Sequence, residues 1–99
     1  MSQKTLRVHS QAQQEVNEAF EWYFIRSPQA ADAFLAELGI ALEAVAASPD
    51  LYSSYTENTR RCVLGRFPYS VIYLHQEDVI HVIAVAHAKR RPGYWIGRA

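Results

Sequence analysis

A single cysteine, Cys62, is the first limit on this sequence. One thiol excludes an internal disulfide framework and any multi-thiolate metal site within the chain. Long apolar runs are also missing. The longest, around Val79–Ala86, is interrupted by His81 and is far too short to span a bilayer. The opening Met1-Ser2-Gln3-Lys4 leads into no apolar segment, so no export signal is expected and a cytosolic location is. There is no repeat, linker or low-complexity stretch, so residues 1–99 are read as a single domain. Disorder is excluded by what is present, because 49% of the residues are hydrophobic.

Formal net charge is zero, but its distribution along the chain is uneven. Residues 1–57 carry Lys4, Arg7 and Arg26 against eight acidic groups. Residues 58–99 carry Arg60, Arg61, Arg66, Lys89, Arg90, Arg91 and Arg98 against only Glu77 and Asp78. Two explanations fit. The C-terminal half faces something anionic, or the two halves pair with each other across the fold.

Periodicity gives the elements. Leu6-Arg7-Val8 alternates as a short strand does. Ser10, with Gln13 three residues on, suggests a capping box. Ala12, Val16, Ala19, Phe20, Tyr23 and Phe24 follow at helical spacing, opposite Gln14, Glu15, Glu18 and Glu21. This helix should end near Arg26. Ser27-Pro28 then reads as an N-cap and a first-turn proline. A second stripe runs through Ala31, Phe34, Leu35, Leu38, Leu42, Val45 and Ala46 until Ser48-Pro49 stops it. Gly39 inside that helix costs about 1 kcal/mol relative to alanine, and close approach of the first helix is the expected compensation. With almost no linker the two helices form an antiparallel hairpin.

From Arg60 the pattern turns to strand. Cys62–Leu64, Tyr69–His75 and Val79–His87 are three segments rich in Val, Ile and Tyr, separated by turn residues. The expectation is an α+β fold of order β-α-α-β-β-β, an antiparallel meander joined by the first strand and covered on one face by the helix hairpin. Register stays open. A two-residue turn at Glu77-Asp78 pairs Tyr73 with Val82, and a three-residue turn pairs it with His81, which puts the side chains on opposite faces.

Several residue types invite a chemical reading. His87 ends the last strand, where imidazole suits general acid–base work at a phosphate; the alternative is a strand-end histidine that orders the following turn. Arg61 and Arg66 are candidate phosphate holders. Arg60, pointing opposite to Arg61, is assigned instead to surface pairing with Glu57, Glu77 or Asp78. Lys89, Arg90 and Arg91, followed by Tyr94 and Trp95, form a basic–aromatic tail. Tyr94 is the better functional candidate of the two aromatics, and Trp95 is read as a plug that pins the C-terminus. His75, His81 and His87 match no ligand spacing, so no metal and no cofactor is assigned. Cys62, with Phe20, Tyr23, Phe24 and Phe34, is assigned to the core.

The order of elements and three motifs resemble the RelE/ParE toxin superfamily, in its ParE-like or plasmid-stabilisation branch. The motifs are Glu21-Trp22-Tyr23 leading to Ser27-Pro28, the run Arg60 to Tyr73, and Asp78 to His87 closing on Lys89-Arg90-Arg91-Pro92-Gly93-Tyr94-Trp95. The resemblance covers nearly the whole chain. It implies a growth-inhibiting toxin of a type II toxin–antitoxin system, held inactive in a hetero-oligomer by a cognate antitoxin. ParE-like members poison DNA gyrase, and RelE-like members cleave mRNA on the ribosome. A metal-independent endoribonuclease would use His87, Arg66, Arg61 and Tyr94. A binding toxin would use Arg61, Arg66, Lys89, Arg90 and Arg91 on its target. The second helix holds only Asp32, Glu37 and Glu43 as charged groups, unlike the basic helix of the ribosomal nucleases. Gyrase is therefore the expected target, the mRNA endoribonuclease the alternative, and an inactive homologue serving as a binding module the third reading.

Overall fold

The structure, a computed structural model, describes residues 4–98, with the side chain of Glu57 excepted. The start of the chain at residues 1–3, read above for an export signal, and the proposed partner Glu57 of Arg60 lie outside that description. The elements are β1 (Thr5–Val8), α1 (Ser10–Arg26), α2 (Pro28–Ala47), β2 (Ser53–Ser54), β3 (Arg60–Val63), β4 (Tyr69–Gln76) and β5 (Val79–His87). Single 3-10 turns at Pro49–Leu51 and Thr56–Asn58 flank β2, a two-residue strand that the sequence pattern does not announce.

The capping residue of α1 is His9, not Ser10. The His9 imidazole Nδ1 accepts the Gln11 backbone N–H at 3.0 Å, and Ser10 is already the first helical residue. Ser27 caps α2 as expected, its Oγ accepting from Ala30 N at 3.2 Å with Pro28 in the first turn. In α2 the buried face runs Ala31, Phe34, Leu38, Ala41 and Val45, strict alternation of three- and four-residue steps. Leu35 falls off that line and is 42% exposed, so it is not core. Phe24 likewise lies half-exposed on α1, stacked on Phe20 at the surface. Nothing approaches Gly39, since an added Cβ would meet no atom within 4 Å. The expected helix contact there does not exist.

The sheet has the order β1-β5-β4-β3-β2. The meander β2 to β5 is antiparallel throughout, whereas β1 lies parallel to β5, making the sheet mixed. Parallel pairing is possible because α1, α2 and the strands β2 to β4 all lie between β1 and β5, a connection far longer than a hairpin turn. The β4–β5 turn is the two-residue one. Glu77 takes positive φ (56°), Gln76 pairs with Val79, and Tyr73 pairs with Val82.

A β-bulge then changes the phase. Tyr73 pairs with Val82 but Ile72 pairs with Ala84, leaving Ile83 as the extra residue in β5. Before the bulge Ile80 and Val82 face the helices; after it Val85 does, and Ala84 and Ala86 face the other way. The histidines at 81 and 87 would share a face on a regular strand. The bulge separates them: His81 pairs with Leu74 on the outer face, and His87 pairs with Tyr69 on the helix face.

The main core lies between the hairpin and the sheet. Phe34, Val45, Val71, Tyr73 and Ile80 are fully buried there, each contributing about 1.5–3 kcal/mol through burial of its apolar surface. Cys62 belongs to this core, and burial pushes its thiol pKa up. A second, smaller cluster on the outer face joins Ile72, Ile83, Ala84 and Ala86 under Trp95. Trp95 is 3% exposed and does close the end of the domain.

Candidate functional site

Where β1 ends, the edge of β5 would be left open. His9 N–H donates to Val82 O, and beyond that point no strand continues the ladder. Two side chains take over. Glu15 of α1 accepts the Val85 N–H at 2.9 Å, and Arg98 donates to Ile83 O at 3.1 Å. The same two residues form an ion pair at 3.0 Å, their side chains only 11% and 12% exposed. Tyr94 completes the group, its hydroxyl donating to Glu15 Oε2 at 2.6 Å.

Glu15, Val85 and Tyr94 of this group line a cleft of about 430 Å³ between α1 and the end of β5. Trp22, Tyr23 and Tyr69 supply aromatic wall; Glu18, His87, Lys89 and Arg90 supply polar groups. The bulge is what brings His87 here. Its ring meets Tyr69 edge-on with centroids 5.0 Å apart.

His87 Nδ1 accepts the backbone N–H of Lys89 at 3.0 Å. In the neutral ring this places the proton on Nε2. A general base needs its lone pair on the free nitrogen, so His87 would have to surrender the Lys89 bond to present one. Tyr94 is committed as well. Burial first, then hydrogen bonding to Glu15, pushes its pKa well up, so the hydroxyl keeps its proton and spends it on Glu15. Burial also raises Tyr69, with smaller contributions from Tyr23, Glu15 and Glu18.

The remaining candidates lie elsewhere. Arg66 belongs to neither this cleft nor the smaller recess beside it. It sits at the β3–β4 junction, paired with Glu37 of α2 at 3.2 Å. Glu37 also accepts the backbone N–H groups of Gly65 and Arg66, which with the Arg66 charge hold its carboxyl below the usual range. Arg60 meets Asp50 and the Tyr52 carbonyl rather than Glu77 or Asp78. Arg61 lies on the outer face, its guanidinium 4.3 Å from the Tyr55 ring centroid. His87 and Tyr94 thus share the large cleft, and His87, Arg61 and Arg90 share a recess of about 170 Å³.

The uneven charge resolves in part. Arg60, Arg66 and Arg98 of the basic half pair with Asp50, Glu37 and Glu15 of the acidic half. Arg61, Lys89, Arg90 and Arg91 meet no carboxylate within 4 Å among the described residues. Among the described residues, neutralisation across the fold therefore leaves a cationic surplus at the end of β5 and on β3. Among the described residues no cluster of histidines, cysteines and carboxylates could hold a metal ion, and no helix is long and apolar enough to cross a membrane.

The helical pattern set Glu15 opposite the apolar stripe of α1 and gave Arg98 no role, whereas the structure nearly buries both side chains; one signal for Glu15 was there. Glu15 follows Ala12 by three residues and precedes Ala19 by four, which puts it on the buried face of α1.

Comparison with known proteins adds the family. A family model described as the ParE toxin of type II toxin–antitoxin system, parDE, matches residues 6–92. A solved structure of a chromosomal ParDE toxin–antitoxin system from P. aeruginosa superposes with a TM-score of 0.77. The two chains are 12% identical, and the match covers 88% of this chain and 98% of that one. At that identity the likeness is one of fold. No curated protein matches by sequence.

Proposed function

This chain belongs to the ParE toxin family of type II toxin–antitoxin systems, and from that premise we propose that it arrests growth by binding and poisoning DNA gyrase. A cognate antitoxin relieves the arrest by covering the toxin. The observation that carries binding over cleavage is the commitment of the candidate catalytic groups to the fold. The His87 Nδ1 is tied to Lys89 N–H, the Tyr94 hydroxyl to Glu15 and Arg66 to Glu37. Arg61, Lys89, Arg90 and Arg91, by contrast, meet no carboxylate among the described residues and are suited to contact with an anionic surface such as gyrase-bound DNA.

The second reading, a ribosome-dependent mRNA endoribonuclease, draws on the recess that Arg61, His87 and Arg90 share. Two assays on the purified toxin separate them. Under the gyrase reading the protein inhibits supercoiling or accumulates cleaved DNA with gyrase, and leaves mRNA on translating ribosomes intact. Cleaved mRNA with unaffected gyrase would reverse the assignment. Induced expression should stop growth, and co-expression of the neighbouring gene product should restore it. Normal growth at high soluble expression would favour an inactive binding module.

A further inference from the structure

The recess on the outer face of the sheet is built differently from the cleft beside α1. Its floor is Ile72 and Ala86, and its walls come from Arg61 on β3 and from Arg90 after β5. Each guanidinium is braced on an aromatic ring. Arg61 sits 4.3 Å from the Tyr55 centroid and Arg90 sits 3.8 Å from the Tyr94 centroid. Those rings in turn flank Trp95, Tyr55 stacked at 5.5 Å and Tyr94 edge-on at 5.4 Å. The result is one continuous series, Arg61–Tyr55–Trp95–Tyr94–Arg90, with a cation at each end.

Neither cation meets a carboxylate within 4 Å among the described residues. Cation–π contact fixes a guanidinium's plane while leaving its N–H groups unspent. Trp95 also lines the recess, and its indole N–H is buried without a hydrogen-bond partner among the described residues. Buried donors of that kind are rare enough to need a cause. Ser70 adds a hydroxyl to the same lining.

We infer that this recess is an oxyanion site that takes a phosphoryl group between Arg61 and Arg90. Donors arrive from opposite walls of the recess, which suits tetrahedral phosphoryl oxygens better than a planar carboxylate. Bracing keeps two like charges in position before the ligand arrives, so less ordering is needed on binding. The phosphoryl group comes either from a small phosphorylated molecule or from a nucleic-acid backbone. The site stands on this geometry alone and does not depend on gyrase being the target.

The test uses Trp95 as its own reporter. The chain has two tryptophans, so Trp22→Phe leaves Trp95 as the sole indole. Inorganic phosphate is titrated at constant ionic strength, with chloride as the balancing ion, and a short DNA duplex is titrated in parallel. Saturable change in Trp95 emission with phosphate is expected. Arg61→Gln or Arg90→Gln should weaken it roughly 10- to 100-fold, the loss typical of a charge-assisted hydrogen bond. Arg7→Gln, on the opposite edge strand, should leave it unchanged. Duplex binding tighter than phosphate and steeply salt-dependent identifies a nucleic-acid backbone; phosphate binding without duplex binding identifies a small phosphorylated ligand. Absence of a saturable phosphate response overturns the site. So does a response that survives Arg90→Gln, whose exposed side chain can be changed without threatening the fold.

Discussion

Glu15 and Arg98, 83 residues apart in sequence, together do for the edge of β5 what a strand would do. One satisfies the Val85 N–H, the other the Ile83 carbonyl, and each neutralises the other. Removing one partner strands a charge at a site that is nearly closed to water. Arg98→Ala is therefore expected to cost about 3–5 kcal/mol, as breaking a buried pair does. Arg98→Lys should recover only part, since an ammonium lacks the fork that reaches Glu15 and Ile83 together. Urea melts of the two variants check this. A loss below about 1 kcal/mol for Arg98→Ala would mean that the network is ornamental.

Leu38 and Leu35 make an internal comparison on α2. Leu38 is 5% exposed in the core, and Leu38→Ala should cost about 2–5 kcal/mol by opening a cavity. Leu35, at 42% exposed, should cost under about 1 kcal/mol. Equal costs in a denaturant melt would contradict the observed face of the helix.

Gly39 offers a gain. It lies in the middle of α2 with nothing near its Cα hydrogens, so no close contact repays its flexibility. Gly39→Ala should stabilise by about 0.5–1 kcal/mol, because alanine restricts the unfolded chain and fits helical dihedrals. A rise in Tm with unchanged toxicity is the expected outcome.

These positions also show how far sequence carried. The helix hairpin was legible because Ser27-Pro28 fixes its turn, and the meander because Val, Ile and Tyr cluster between turn residues. Leu35 misled because a stripe of seven residues is wider than the buried arc. The parallel pairing of β1 was not legible, since nothing local distinguishes a parallel from an antiparallel edge in four residues. The bulge at Ile83 was not legible either. A single inserted residue leaves no mark on composition, yet it decides that His87 joins the α1 cleft instead of the face of His81. Assembly of the basic residues needed the fold, because it depends on which of them Asp50, Glu37 and Glu15 had already neutralised.

Alkaline pH should unfold the protein through its tyrosines. Tyr73 is wholly buried, its hydroxyl donates to the Pro49 carbonyl, and burial pushes its pKa up to about 12. Tyr23, Tyr52, Tyr69 and Tyr94 are raised too, each mainly by burial. The folded state thus holds protons that the unfolded chain releases near pH 10. Stability is complete below that value and falls as pH climbs toward about 12 for Tyr73. Absorbance at the tyrosinate band should rise together with loss of the circular dichroism signal. Ionisation of all tyrosines near pH 10 in a folded protein would contradict the burial described.

His87→Gln divides the binding and nuclease readings. Glutamine cannot titrate, but its side-chain oxygen can accept the Lys89 N–H in place of Nδ1, so the turn after β5 should keep its geometry. If His87 were the general base of a nuclease, the variant would lose about 10²–10⁴-fold in cleavage rate and growth arrest would vanish with it. A histidine whose work is to order the turn and pack against Tyr69 loses little when a hydrogen-bonding residue replaces it. The expected outcome is that growth arrest persists, with a thermal melt showing the variant folded. Arg91→Ala is the companion measurement. Arg91 is exposed and meets no carboxylate among the described residues, so its removal should weaken contact with an anionic surface while leaving any proton transfer intact. A toxin that acts by binding should therefore be more sensitive to Arg91→Ala than to His87→Gln. The reverse order, in two folded variants, would move the chemistry to His87 and the target to RNA.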